Sequence, residues 1–385
     1  MLLHQIGNLC LVISKAQDMP FIIKIAGLVI MVAICMILFT LIAINYNRNK
    51  RYEERDEANE AEALILTELN EHILQYDSIT DMPENELQQS VSKLNAIKNR
   101  SAISRQVLVN LLVYFRHNLT GNITRVITSV YYRLNLSQTT LSKLKSIFWF
   151  TKAQGLKEMQ EIHNSQSADS IIELVKDEHV EVRVEAYSAL LKLNQKNTFS
   201  FFSNEKDELS EWHQILLFDA ITKAQISEIP DFKIYLTSAN KSLIALSIKL
   251  ILYYKQFDAI PNLISLLDHT DQNIRRLAIC ALGELDAVDA EEKLIAIYPK
   301  EHNKNKGEIL LAIGAIASGN GISFIKDKFL KADHYTILKN AAAAIMAHPA
   351  TLKTEILNSL TNLDPEQTAI IKHFEDPLIR THGVH

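Results

Sequence analysis

The sequence predicts an all-α chain in which a single N-terminal transmembrane helix is followed by an α-solenoid of antiparallel helix pairs. Three observations predict this. The run from Ile25 to Ile44, IAGLVIMVAICMILFTLIAI, holds twenty residues without a charge. At about 1.5 Å per residue it matches a hydrocarbon core about 30 Å thick. Apolar-periodic helices begin near Val180, Glu211, Lys241, Gln272, Asn303 and His334, at spacings of 31, 30, 31, 31 and 31 residues. A fixed period of that length marks stacked helical repeats. Finally, 48% of the 385 residues are hydrophobic and 22% charged, with only 10 Gly and 8 Pro, which suits folded helices and disfavours both disorder and all-β turn-rich folds.

Residues 1–20 place Leu2, Leu3, Ile6, Leu9, Cys10 and Ile13 near helical spacing. They read either as an amphipathic segment lying on a membrane surface or as an extension without a role. Residues 21–46 form the predicted transmembrane helix. A cleaved signal peptide fits less well, because its apolar region is only about 7–15 residues and is followed by a small-residue cleavage site, which NYNRNKRYEE does not supply. Arg48, Lys50, Arg51 and Arg55 follow the apolar run, against Lys15 and Lys24 before it. This bias predicts an outside N-terminus and a cytoplasmic C-terminal region. The three cysteines, Cys10, Cys35 and Cys280, are too scattered for a disulfide framework and agree with a reducing compartment.

Residues 47–86 read as a basic juxtamembrane segment and then an acidic stalk helix. Positions 53–86 carry twelve acidic residues and one basic residue, Arg55. Leu66, Leu69, Ile73 and Tyr76 recur at heptad spacing over about two heptads, too few for a coiled coil, so a single amphipathic helix is expected. The sign then reverses. Residues 87–157 contain eleven basic side chains and no Asp or Glu: Lys93, Lys98, Arg100, Arg105, Arg116, Arg125, Arg133, Lys143, Lys145, Lys152 and Lys157. This block can face anionic lipid or an acidic partner, or it can neutralise the stalk. Nucleic acid is disfavoured, since residues 56–385 hold 34 basic and 42 acidic groups, a net charge of −8.

Residues 87–160 are assigned to the basic N-terminal part of the stack, through the helices ISRQVLVNLLVYFRH, GNITRVITSVYYRLN and LSKLKSIFWFTKAQGLKEMQEI. Residues 161–349 hold the repeats and 350–385 the closing helices and tail. The clearest unit is 258–285. Its first helix is expected to have Asp258 as cap and Pro261 in its first turn; its second buries Ile274, Leu277, Ala278, Ala281, Leu282 and Leu285. Ala278 and Ala281 let neighbouring helices approach closely.

The motif Asp271, Ile274-Arg275, Ala278 and Ala281 resembles the HEAT-repeat family, in particular its short HEAT-like class. Val182-Arg183, Ala186 and Ala189-Leu190 repeat it. In that family the arginine is structural, so the resemblance implies that Arg183 and Arg275 bind the acid of the preceding loop, Asp271 in the second case. The arginine is replaced in the other units, by Leu216, Ile244, Lys306 and Ile337. The stretch 100–220, with Arg105 to Leu108, Trp149 and Leu209 to Ile221, is also similar to bacterial membrane-anchored HEAT proteins. That similarity implies a bacterial inner-membrane location and an accessory role beside glycosyltransferases of envelope polysaccharide systems.

Chemistry is sparse. The sequence has no Walker motif, nucleophile elbow or dinucleotide fingerprint. Gly319 and Gly321 read as helix-ending residues, and His382 with His385 supplies only two ligands where a metal site needs about three or four. Trp149, with Phe148 and Phe150, and Trp212, beside His213, read as core aromatics more readily than as ligand platforms. No cofactor, metal or small-molecule substrate is expected. The expected function is a non-enzymatic membrane scaffold that binds a membrane-associated protein through the solenoid groove. A HEAT-like lyase of the chromophore-attaching kind and an organiser of anionic lipid surfaces are the alternatives.

Overall fold

The computed structural model describes residues 21–76, 82–162, 168–193, 199, 205–224 and 228–376. Among them every regular element is a helix. The expected amphipathic segment at 1–20, with Lys15, and the pair His382 and His385 lie outside the described residues. The chain divides into two compact units, Met1–Thr139 and Thr140–His385.

The first unit begins with α1, Phe21–His72, which is 52 residues long and so about 78 Å at the usual rise. The apolar run and the acidic stretch are one uninterrupted helix. No Gly or Pro stands between Ile44 and His72 to break it. The helix is long and apolar enough at its start to cross a membrane, and none of that apolar window is buried against the protein. Its other end is packed. Ala61, Ile65, Leu69 and Ile73 are 2% exposed or less and recur every fourth residue on one face. They meet α2, Glu84–Lys98, and α3, Ala102–Asn118. The acidic helix is therefore a structural member of a bundle rather than a free stalk, and Leu66 lies beside its buried stripe instead of in it. Each fully buried Ile or Leu here contributes about 1.5–3 kcal/mol. Ser101 caps α3 by accepting the Ser104 amide at 3.0 Å. The last full helix of the unit is α4, Ile123–Arg133, which packs on α3 through Val126, Ile127, Val130 and Tyr131.

The next helices are α5, Leu136–Leu144, α6, Trp149–Ile162, α7, Ala168–Leu174, and α8, Val180–Lys192. The stretch expected as one helix, 141–162, is thus two. The Ser146 amide is taken by the Lys143 carbonyl at 3.0 Å, and the Ser146 hydroxyl accepts the Phe148 amide at 3.1 Å. The side chain competes with helix continuation, as serine does at turns.

Beyond α8 come α9, Glu211–Lys223, α10, Lys241–Tyr253, α11, Ile260–Ser265, α12, Gln272–Glu284, α13, Glu291–Ile297, α14, Asn303–Ile316, α15, Ile322–Leu330, α16, Tyr335–Ala347, α17, Ala350–Ser359, and α18, Pro365–Glu375. Five of the six helix starts read from the period coincide with observed starts, and the sixth, His334, is the cap one residue before α16. These helices form a row in which α8 packs on α9, α9 on α10, α10 on α12, α12 on α14 and α14 on α16. One hydrophobic core runs through the row, from Leu144 to Ile371. In the unit at 258–285 the first helix differs from expectation. Asp258 does not cap it but pairs with Lys233 at 2.6 Å, and short 3₁₀ turns flank α11 on both sides.

Glycines set the closest approaches. A Cβ on Gly283 would stand 2.8 Å from the Ala312 Cα, and one on Gly314 would stand 2.5 Å from the Ala344 Cα. Backbone therefore meets backbone between α12 and α14 and between α14 and α16. Ala278 and Ala281 are buried as expected, but the crowded points are these glycines. Neither Gly319 nor Gly321 ends α14. That helix closes on Ala317, in the left-handed region at φ 48°, while Gly319 at φ 92° turns the chain and Gly321 precedes α15.

Candidate functional site

The arginines of the repeat motif organise the loops between helices. Arg183, the fourth residue of α8, donates from Nη1 to the Asp177 and Glu178 carbonyls at 2.8 and 3.1 Å. Its other edge grips Glu205 bidentately at 2.9 and 2.7 Å. Arg275, the fourth residue of α12, repeats the geometry. It donates to the His269 and Thr270 carbonyls at 2.9 and 3.1 Å and to both oxygens of Glu301. The carboxylate partner is thus the acid of the following loop. Asp271 does not receive Arg275; it caps α12 through the Asn273 amide at 2.8 Å and pairs with Lys241 of α10 at 2.8 Å. Acid and arginine of one unit reach in opposite directions along the row.

These contacts shift the groups they join. Hydrogen bonding to Glu301 raises the Arg275 guanidinium above its ordinary value. Burial alone would raise the Glu301 carboxyl, but hydrogen bonds from Arg275 and Asn305 outweigh it and hold the group low. The Lys241 hydrogen bond does the same for Asp271. Asn305 is fully buried and bridges Glu301 and the Gln272 carbonyl at 2.8 and 3.3 Å. In α9 the fourth residue is Gln214 rather than Leu216, and its amide donates to the Leu209 carbonyl at 3.2 Å. It supplies the carbonyl-binding half of the arginine's role.

The basic block is largely consumed internally. Lys93 pairs with Glu68 at 3.0 Å, Arg100 with Glu60 at 3.2 Å and Arg133 with Glu84 at 2.7 Å, all three acids belonging to the acidic block. Lys98 donates to the Leu134 carbonyl at 2.8 Å, and burial together with Arg105 lowers its ammonium. Lys143 pairs with Glu158, and Lys152 with Asp177 at 2.6 Å. Arg125, Lys145 and Lys157 are exposed, while Arg105 and Arg116 are half-buried.

Two aromatic groups lie where the sequence reading did not put them. Trp212 is 68% exposed on α9, near Ile215, also exposed. Ile215, Gln214, Phe218, Lys249 and Leu252 line an open hollow of about 260 Å³ between α9 and α10. Phe218 packs edge-on against the exposed Tyr253 at 5.5 Å. The second group is the α5–α6 connection, where Ile147, Phe148, Trp149 and Phe150 are 85%, 55%, 42% and 56% exposed. Neither tryptophan is a core residue. Period and spacing locate helices but do not separate an exposed aromatic at a helix start from a buried one.

No cluster of three or more metal-ligating side chains occurs among the described residues. Burial, reinforced by Glu308, pushes the Cys280 thiol up to about 12, which makes it a poor nucleophile.

No family model matches the chain, and no curated protein matches it. Among solved structures it is similar to an engineered protein, at 14% identity over 82% of this chain and 98% of the other, with a TM-score of 0.36. It is also similar to human deoxyhypusine hydroxylase in complex with glycerol, at 11% identity over 78% and 98%, with a TM-score of 0.29. A third is the phycocyanin lyase complex from Nostoc, at 11% identity over 74% and 93%, with a TM-score of 0.24.

Proposed function

We propose that the chain is a non-enzymatic scaffold: an α-solenoid of HEAT-like repeats, anchored in a membrane by the start of α1, that binds a membrane-associated protein. The observation that carries this reading is the apolar run of α1 from Ile25 to Ile44, none of which is buried against the protein, while the other end of the helix is packed into the fold. Twenty apolar residues left in water are costly, and a bilayer removes that cost. The chain is oriented with α2 onward in the cytoplasm, following Arg48, Lys50, Arg51 and Arg55. The hollow lined by Ile215, Phe218 and Leu252 supports protein binding, with exposed Tyr253 packed on Phe218 and exposed Trp212 on the same helix as Ile215, since exposed aromatics and apolar depressions are typical anchor points. Tethering raises the effective concentration of such a surface toward other membrane proteins. The resemblance of residues 100–220 adds an accessory role in an envelope polysaccharide or glycosyltransferase system to this reading.

The test is a photo-crosslinker at Trp212 in the full chain, activated in native membranes. A discrete membrane-protein adduct, lost in the Ile215→Asp variant, supports the reading. Absence of any adduct, or an adduct unaffected by that change, counts against it.

A further inference from the structure

The α5–α6 connection ends in four consecutive apolar side chains facing solvent. Ile147 is 85% exposed, more than any other large hydrophobic residue among the described ones. The Phe148 and Phe150 rings stack on each other at 5.4 Å and Trp149 meets Phe150 edge-on at 6.1 Å. The rings are therefore held as a group rather than splayed, although none of them is sequestered. The Ser146 hydroxyl on the Phe148 amide and the Phe148 carbonyl accepting the Thr151 and Lys152 amides fix the backbone beneath them. Lys145 flanks the group and is exposed.

We propose that this tip inserts into the interfacial layer of a lipid bilayer, as a second membrane contact besides α1. The proposal rests on the anchored reading above, because only a chain already held at a bilayer keeps so small a wedge engaged. Its composition fits that layer: tryptophan and phenylalanine settle at headgroup depth, isoleucine goes deeper, and lysine stays at the phosphates. The surrounding charges decide which lipid is needed. Lys143 pairs with Glu158 and Lys152 with Asp177, so two of the lysines nearest the rings in sequence are already neutralised, while Lys145 stays exposed and the His179 ring lies 6.3 Å from that of Trp149. The contact is driven by apolar transfer and does not require anionic lipid. This separates it from adsorption through a basic surface.

The chain has two tryptophans, so Trp212→Phe leaves Trp149 as sole reporter in the full chain. The measurement is its fluorescence in proteoliposomes of zwitterionic phosphatidylcholine, with and without bromines near the headgroup end of the acyl chains. The expected result is at least twofold quenching by brominated lipid, weak quenching by acrylamide, and little change when a quarter of the lipid is made anionic. The Trp149→Phe chain, reporting from Trp212, should show the opposite preference. Strong acrylamide quenching without bromine quenching, in a chain retained after alkaline carbonate, overturns the proposal and leaves the anchor reading intact. Emission shielded from both quenchers assigns the tip to protein contact and also overturns it. Release of the chain by carbonate overturns both. Replacing Ile147 and Phe148 by Ser, at exposed positions that leave the core untouched, should raise acrylamide quenching of Trp149 severalfold.

Discussion

Arg275 and Glu301 show how a single pair of side chains joins neighbouring units. The guanidinium satisfies two loop carbonyls that have no helical partner, while both carboxylate oxygens of the next loop neutralise it. Removing Glu301 strands a charge that is mostly buried, so Glu301→Gln should lower unfolding free energy by about 1–3 kcal/mol, read from denaturant titration. The pH dependence follows from the same contacts. Asp177, Asp271 and Glu301 are all held below their ordinary values. They bind protons less readily folded than unfolded, and their contribution is complete above the unfolded carboxylate range near pH 4, roughly. It is lost as pH falls through the lower folded values. Melting temperature should therefore drop between about pH 5 and pH 3, less steeply in Glu301→Gln. The motif was legible here as far as the residues Arg183, Arg275 and Asp271. Their partners were not, because Glu205 and Glu301 sit 22 and 26 residues downstream, and spacing along a chain does not reveal which loop folds back.

Among the elements, helix starts were the most legible feature, since a fixed period and an apolar stripe report directly on which face packs inward. Breaks were less so. The α5–α6 turn depends on one serine hydroxyl, and Ser146 is no more conspicuous in sequence than the serines that stay helical. Close packing was likewise hidden. Gly314 interrupts no pattern, yet its missing side chain admits α16. Gly314→Ala should cost about 1–3 kcal/mol by forcing the two backbones apart, measured by thermal denaturation. The neighbouring Ala317 should respond in the other direction. It holds a left-handed conformation that disfavours a side chain, so Ala317→Gly should stabilise the chain by about 1 kcal/mol.

For the whole molecule, the charge pattern changes meaning once it is folded. In sequence, the basic block after the acidic one could face anionic lipid, meet an acidic partner or neutralise the stalk. In the first unit much of that charge is internal, with Lys93, Arg100 and Arg133 closing on Glu68, Glu60 and Glu84. Such pairs are partly exposed and individually weak, so Arg133→Ala should change stability by less than about 1 kcal/mol. Binding of the full chain to anionic vesicles should change equally little if neutralisation is the block's main role. Cosedimentation with vesicles of graded charge measures the second quantity.

The unbroken helix α1 has a further consequence, which concerns heading rather than distance. In the proposed anchored state, a rigid rod that leaves the bilayer and then enters a packed bundle transmits rotation: each residue added between Asn47 and Asp56 turns the rest of the first unit by about 100° about the rod axis. Two inserted residues should point the first unit's outer faces about 200° away from their original bearing. Seven should restore that bearing to within about 20°, although they lift the unit further from the membrane. A neighbour in the same bilayer that is captured by the seven-residue insertion but missed by the two-residue one would show that this protein works by azimuth, presenting one compass direction to the membrane around it.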